Sequence, residues 1–274
     1  MHPFDEAIRL QAAGPATPDV FTGVSSPAYW NMVGPFGGTT TAIALQAVLQ
    51  HPALLGEPLT ITVNFAAAVG PGEFRLVARP LRTNRSTQHW FIDMTQADAE
   101  GGQNLLMSAT AVTAVRRPTW GQNDSPMPVV PRPQDCSPAN YPDSLAWAQR
   151  YDMRVARGDL PQLMDGSGED SLSRLWLRDN PARPLDFAAL SAMADAFYPR
   201  IWLRRATLVP AGTVSVTVYF HAGAAELARS GQGYLLGQAQ AQTFQQGFFD
   251  QAVQLWNEAG ELLATSHQIV YFKE

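Results

Sequence analysis

The chain has 274 residues, 46% hydrophobic and 16% charged, with a formal net charge of −5. This apolar share excludes an intrinsically disordered chain, which would be apolar-poor and charge-rich, and no apolar run approaches the ~18 residues of a membrane-spanning helix. The acidic balance argues against a protein that coats nucleic acid, because such proteins carry a basic stripe that displaces counterions from phosphates.

At roughly 100–200 residues per domain, the length fits one large or two modest domains. The single cysteine, Cys136, excludes an internal disulfide. The opening Met1-His2-Pro3-Phe4-Asp5-Glu6 lacks the positive flank and apolar core of a secretion signal, so a cytoplasmic location is expected.

In chain order, the first regular element is a helix over 38–50, GTTTAIALQAVLQ, led by Trp30. It is apolar nearly all round, which predicts burial rather than a surface position. Residues Leu59 to Phe65 alternate apolar and polar, the period of a strand with one buried face. Three further strands are predicted over 73–83, 87–97 and 104–115. Residues 116–145 then hold seven of the 21 prolines. Proline lacks a backbone donor and fixes φ, so neither a helix nor a central strand runs through this stretch. It reads as an extended linker draped over the surface.

The pattern then recurs. Ser173 to Leu177 lead a second apolar helix over 185–197, and Val214 to Phe220 alternate as 59–65 do. Strands are predicted over 232–242, 247–257 and 261–272. The endings also match: Gly102-Gln103-Asn104-Leu105-Leu106 in the first half, Gly260-Glu261-Leu262-Leu263 in the second. The chain therefore divides into 1–115, a linker over 116–145, and 146–274. Each flanking unit is α+β, one buried helix wrapped by a curved antiparallel sheet, and two such units can join their sheets. Strand edges in the second unit invite association of copies.

Several chemistries are missing. There is no Gly-x-Ser-x-Gly nucleophile elbow and no phosphate-binding Gly-Lys-Ser/Thr loop. The five histidines are scattered, with none paired at i, i+4, so no metal site and no cofactor are expected. Cys136 lies among prolines, with no helix start to depress its pKa. Arginines cluster at Arg75, Arg79, Arg82 and Arg85, at Arg116 and Arg117, and at Arg200, Arg204 and Arg205. They serve solubility or a small phosphorylated anion.

Asp195 is the outlier. It is a carboxylate in the last turn of an otherwise apolar helix, where aspartate is a weak helix former near the negative end of the dipole. Desolvation would raise its pKa and make it a stronger base. The plainer alternative is a bond to a neighbouring backbone amide or exposure at the helix end. Thr213 and Gln268, taken alone, read as structural polar residues on strands.

Trp30, Pro35-Phe36-Gly37-Gly38, the apolar helix and the strand after it, Arg82-Thr83-Asn84-Arg85-Ser86, and the ending Gly260 to Gln268 form an ordered set. This set resembles the double-hotdog acyl-CoA thioesterases of the acyl-CoA thioesterase II-like group, over nearly the whole chain. The resemblance implies a double hotdog fold, an acyl-CoA substrate, a homodimer or higher assembly, and a hydrolytic water held by an aspartate, a threonine and a glutamine of the second unit. Those roles fall on Asp195, Thr213 and Gln268. Asp195 would act as general base on water, and the other two would position that water. Backbone N–H groups at a glycine-bearing helix start, Gly37 and Gly38, would hold the oxyanion, although tight helix–sheet packing explains those glycines equally well. An apolar acyl tunnel would run between helix and sheet, and Arg85 is the candidate for the phosphate end of CoA. Two alternatives stand: a non-catalytic double hotdog that binds an acyl group or acyl-CoA, and a hotdog hydratase. The chain lacks the Asp-x-Asn-Pro-x-His motif of the latter.

Overall fold

The computed structural model describes residues 1–98 and 100–274. The helices are α1 (Pro3–Ala7), α2 (Gly37–Leu49), α3 (Phe187–Met193), α4 (Arg200–Arg205) and α5 (Ala224–Ser230). The first part of the chain contributes strands β1 (Gln11–Ala12), β2 (Val20–Val24), β3 (Glu57–Phe65), β4 (Glu73–Thr83), β5 (Thr87–Ala97) and β6 (Gln103–Ala114). The second contributes β7 (Ser137–Pro138), β8 (Tyr151–Arg157), β9 (Ser173–Asp179), β10 (Ala211–Phe220), β11 (Leu235–Gln240), β12 (Phe244–Gln245), β13 (Phe248–Asn257) and β14 (Leu262–Phe272).

All described strands join one 14-stranded antiparallel sheet in the order β1-β2-β4-β5-β6-β3-β10-β14-β13-β11-β9-β8-β7, with β12 on β13. The seam is β3 against β10, where Asn64 faces Ser215 and Thr60 faces Tyr219. Inward positions follow the period of two: Ile61 and Val63 on β3, Val216 and Val218 on β10, Leu175 and Leu177 on β9 are buried. This is the α+β, two-helix, joined-sheet arrangement that the repeated pattern predicts. Helices α2 and α3 lie against each other, the start of one at the end of the other. A Cβ on Gly38 would overlap the Ala192 carbonyl and the Phe36 ring, so this close approach requires a glycine.

Two features differ from the sequence reading. The sheet edges are the two-residue strands β1 and β7, the latter ending in Pro138. Such short edges, one of them ending in proline, offer little to pair with. The proline-rich stretch is also more than a linker. Its residues cross the outer face of the second unit, where the Trp176 indole donates to Pro131 O (2.8 Å) and the Trp256 indole to Ser125 O (2.9 Å). Cys136, Trp176 and Leu236 form a separate buried cluster beneath it, with Met127 and Val130 packed on top. Prolines suit such a cover because they have no N–H to leave unpaired.

Candidate active site

Asp195 does not lie within the helix. Helix α3 stops at Met193, and Asp195 occupies the turn beyond it, its N–H donating to Ala192 O (3.1 Å). The turn is tied on both sides: the Ser266 hydroxyl donates to Ala194 O (3.2 Å), and the Tyr141 hydroxyl to Ala196 O (3.4 Å). The carboxylate is half-buried and faces the start of α2.

Helix α2 begins with no side-chain cap, so its first backbone N–H groups lack intrahelical partners. One of them, on Gly38, lies near enough to the Asp195 carboxylate to favour its charged form. A Cβ on Gly37 would come within 2.8 Å of Asp195 Oδ2, so that position also needs a residue without a side chain. Gln268 Nε2 donates to Asp195 Oδ1 at 2.7 Å, and the Thr213 hydroxyl donates to Gln268 Oε1 at 3.2 Å. Burial pushes the Asp195 pKa up to about 7, outweighing the Gln268 hydrogen bond and the nearby Gly38 amide, which favour the charged form.

Thr213 reaches this chain of bonds through a bulge. On β10, Thr213 pairs with Val270 but Ser215 pairs with Ile269, leaving Val214 as the extra residue. Alternation alone turns Thr213 outward with Ser215 and Thr217, and Val214 inward with Val216. The bulge shifts the phase, placing Thr213 on the inner face with Gln268 and Val270 and turning Val214 outward.

The same backbone frame occurs in the first unit, without the chemistry. Ala66 and Ala67 N–H both donate to Leu106 O, as His221 and Ala222 do to Leu263 O, and β3 carries the matching bulge between Pro58 and Thr60. In this correspondence Thr213 is replaced by Pro58 and Gln268 by Ala111. Helix α3 is sealed where α2 is open: the Asp186 side chain caps its own helix by accepting from Ala189 N (2.8 Å), and Phe187 stands where α2 has Gly37.

Asp195, Thr213, Gln268 and Gly37 line one cavity of about 420 Å³, walled by aromatic rings that include Phe36, Phe65, Trp147 and Phe197. No periodic pattern flags these rings as walls, because they come from loops and element ends scattered along the chain. Gly38 does not line this cavity. Arg85 is not brought to it. It sits exposed in the β4–β5 turn, at the end of the sheet where Thr87 meets Ala114 and Ala114 meets Glu57, whereas the cavity borders Phe65 at the other end of β3. The basic cluster of the second unit is divided: Arg200 is fully buried, and Arg204 and Arg205 are exposed. Among the described residues, no group of three or more His, Cys, Asp or Glu is placed to hold a metal ion, and no helix is long and apolar enough to cross a membrane.

Residues 26–115 match a family model described as the acyl-CoA thioesterase N-terminal domain, and residues 133–272 match the acyl-CoA thioesterase C-terminal domain. No curated protein matches the sequence. Among solved structures, a hot dog fold protein of unknown function from Alicyclobacillus acidocaldarius is 42% identical, with 100% of this chain and 99% of that chain covered and a TM-score of 0.91. A putative thioesterase II from Thermobifida fusca YX is 19% identical, with 100% and 98% covered and a TM-score of 0.81. Acyl-CoA thioesterase II TesB2 from Mycobacterium marinum is 16% identical, with 98% of both chains covered and a TM-score of 0.77. These last two share the fold.

Proposed function

The chain belongs to the acyl-CoA thioesterase family and is a thioester hydrolase, and from that premise we propose that it cleaves an acyl-CoA to a free acid and CoA, with Asp195 as general base on the attacking water. The observation that carries this reading is the hydrogen-bonded line from Thr213 through Gln268 to Asp195, ending at the uncapped start of α2. A thioester carbonyl is activated enough for direct attack by water, so no serine or cysteine nucleophile is required.

Each group has one job. Gln268 holds one carboxylate oxygen of Asp195 and has a second amide hydrogen for a lone pair of the water. The Thr213 hydroxyl gives its proton to Gln268, so its oxygen accepts from one water hydrogen. Asp195 takes the other hydrogen as the water oxygen bonds to the carbonyl carbon. The carbonyl oxygen then carries negative charge. The Gly37 amide, at the positive end of a 13-residue helix and on the cavity lining beside Asp195, is the oxyanion donor. When the carbon–sulfur bond breaks, Asp195 returns its proton to the departing thiolate.

Purified protein should release free thiol from members of an acyl-CoA panel. A panel that is bound but never cleaved would favour the non-catalytic alternative. The base must be ionised, so kcat/KM should rise with pH through about 7, the value to which burial pushes Asp195. Below that it should fall close to tenfold per pH unit. A flat profile from about pH 5 to 8 would exclude Asp195 as the base. Thr213→Val should lower kcat roughly fivefold to tenfold, the worth of one hydrogen bond to the water, with KM little changed.

A further inference from the structure

The cavity at Asp195 measures about 420 Å³, toward the lower end of the roughly 300–1,000 Å³ of small-ligand clefts. It opens to solvent past the exposed Met32 and Val33, and its inner part has to hold the thioester, the attacking water and the acyl group. The neighbouring void behind Pro35, Thr40 and Val69, which line both spaces, measures only about 10 Å³. The space between helix and sheet, where the resemblance implies an apolar tunnel, is filled: Ile61, Val63, Leu76 and Ile92 are fully buried there, alongside Leu45 and Val48 of α2.

The walls are stiff as well as close. Phe36 lies flat on Trp147, with ring centroids 4.2 Å apart and planes 10° apart. Tyr141 meets Trp147 edge-on at 5.2 Å and stacks on Tyr198 at 4.2 Å. Interlocked rings in a close-packed interior do not yield cheaply to an added methylene. Flat apolar walls also suit a flat or short apolar group.

We infer that this site selects a compact acyl group, short-chain or aromatic, over a long fatty acyl chain, and that Trp147 sets the limit. The inference rests on the reading of the cavity as the acyl-CoA site. Its test separates recognition from cleavage. Binding of S-alkyl-CoA thioethers, which cannot be hydrolysed, is measured from ethyl to hexadecyl on the full chain, beside kcat/KM for the matching thioesters and phenylacetyl-CoA. Affinity should climb with the first methylenes and then drop roughly tenfold or more by hexadecyl. Trp147→Leu should move the break to longer chains. Ala67→Leu, at a less buried wall position, should move it to shorter ones.

Affinity that climbs without a break to hexadecyl overturns the inference. So does an unmoved break in a Trp147→Leu protein that still binds butyl-CoA normally. A break in binding with no thioester cleaved leaves the size limit standing and removes the hydrolase reading. Failure of every thioether to bind removes both.

Discussion

Asp195→Asn is expected to abolish thioester hydrolysis while making the folded chain more stable in mild alkali. The amide cannot take a proton from water, and losing a positioned general base costs roughly 10²–10⁴ in rate. The network can survive the change, because the Gln268 amide can turn over, accept from the nitrogen of the introduced amide and donate to Thr213. The stability effect follows from the raised pKa. The unfolded carboxyl ionises near 3.8, the folded one only near 7. Between those values the folded state binds more protons, so stability falls as pH rises, and the loss is complete above about 7. An amide does not titrate, so it removes this decline. Melting curves near pH 4 and pH 8 test it: the variant should gain in Tm over the wild type at the higher pH and little at the lower. Equal Tm values under both conditions, with hydrolysis retained, would mean that Asp195 is neither desolvated nor the base.

Arg200→Met is expected to be the most damaging substitution to stability. Arg200 is fully buried, and among the described residues no carboxylate is paired with it. Its guanidinium instead donates to main-chain and hydroxyl oxygens: Nε to Tyr198 O (2.9 Å), and Nη1 to Ser171 O (3.0 Å), Ser173 Oγ (2.6 Å) and Ala239 O (3.3 Å), with Nη2 also on Tyr198 O. Burial lowers its pKa to about 10, so it stays charged at neutral pH. These bonds join the turn after Asp195 to β9 and β11. Methionine roughly fills the space but leaves the carbonyls of Tyr198, Ser171 and Ala239 without these donors. Leaving a buried acceptor without its donor costs roughly 1–3 kcal/mol, and several are left here. Arg200→Lys would not restore the fork, because an ammonium cannot reach the same oxygens in a plane. Urea denaturation is the measurement: the midpoint should fall with the m-value unchanged. A loss below about 1 kcal/mol would show that the acceptors find other partners.

Arg200 also marks the limit of what composition conveys. In the sequence it belongs to a basic cluster with Arg204 and Arg205. In the fold it faces inward while its neighbours stay exposed. Nothing in the spacing distinguishes them, since α4 has six residues and its inner face depends on what β13 presents to it.

Local pattern suffices for most elements. Alternation over 59–65, the apolar run over 38–50 and the turns between later strands express short-range preferences, and the corresponding strands and helix form within a few residues of expectation. The repeated pattern is equally legible, because two copies of one arrangement bury side chains at matching positions. The outlying polarity of Asp195 is visible for the same reason: a carboxylate in an apolar stretch violates the local rule.

What the chain order alone determined, then, is two similar α+β units, a proline-rich stretch between them, and one misplaced acid. The meeting of groups distant in sequence belonged to the tertiary structure. Gly38 and Asp195 come together because α2 and α3 lie end to start, and Thr213 turns inward because one extra residue in β10 shifts its phase against β14. Arg85 stays outside because its turn lies at the wrong end of β3. Each outcome depends on register and packing across strands far apart in the chain, where one residue of slip exchanges the inner face for the outer.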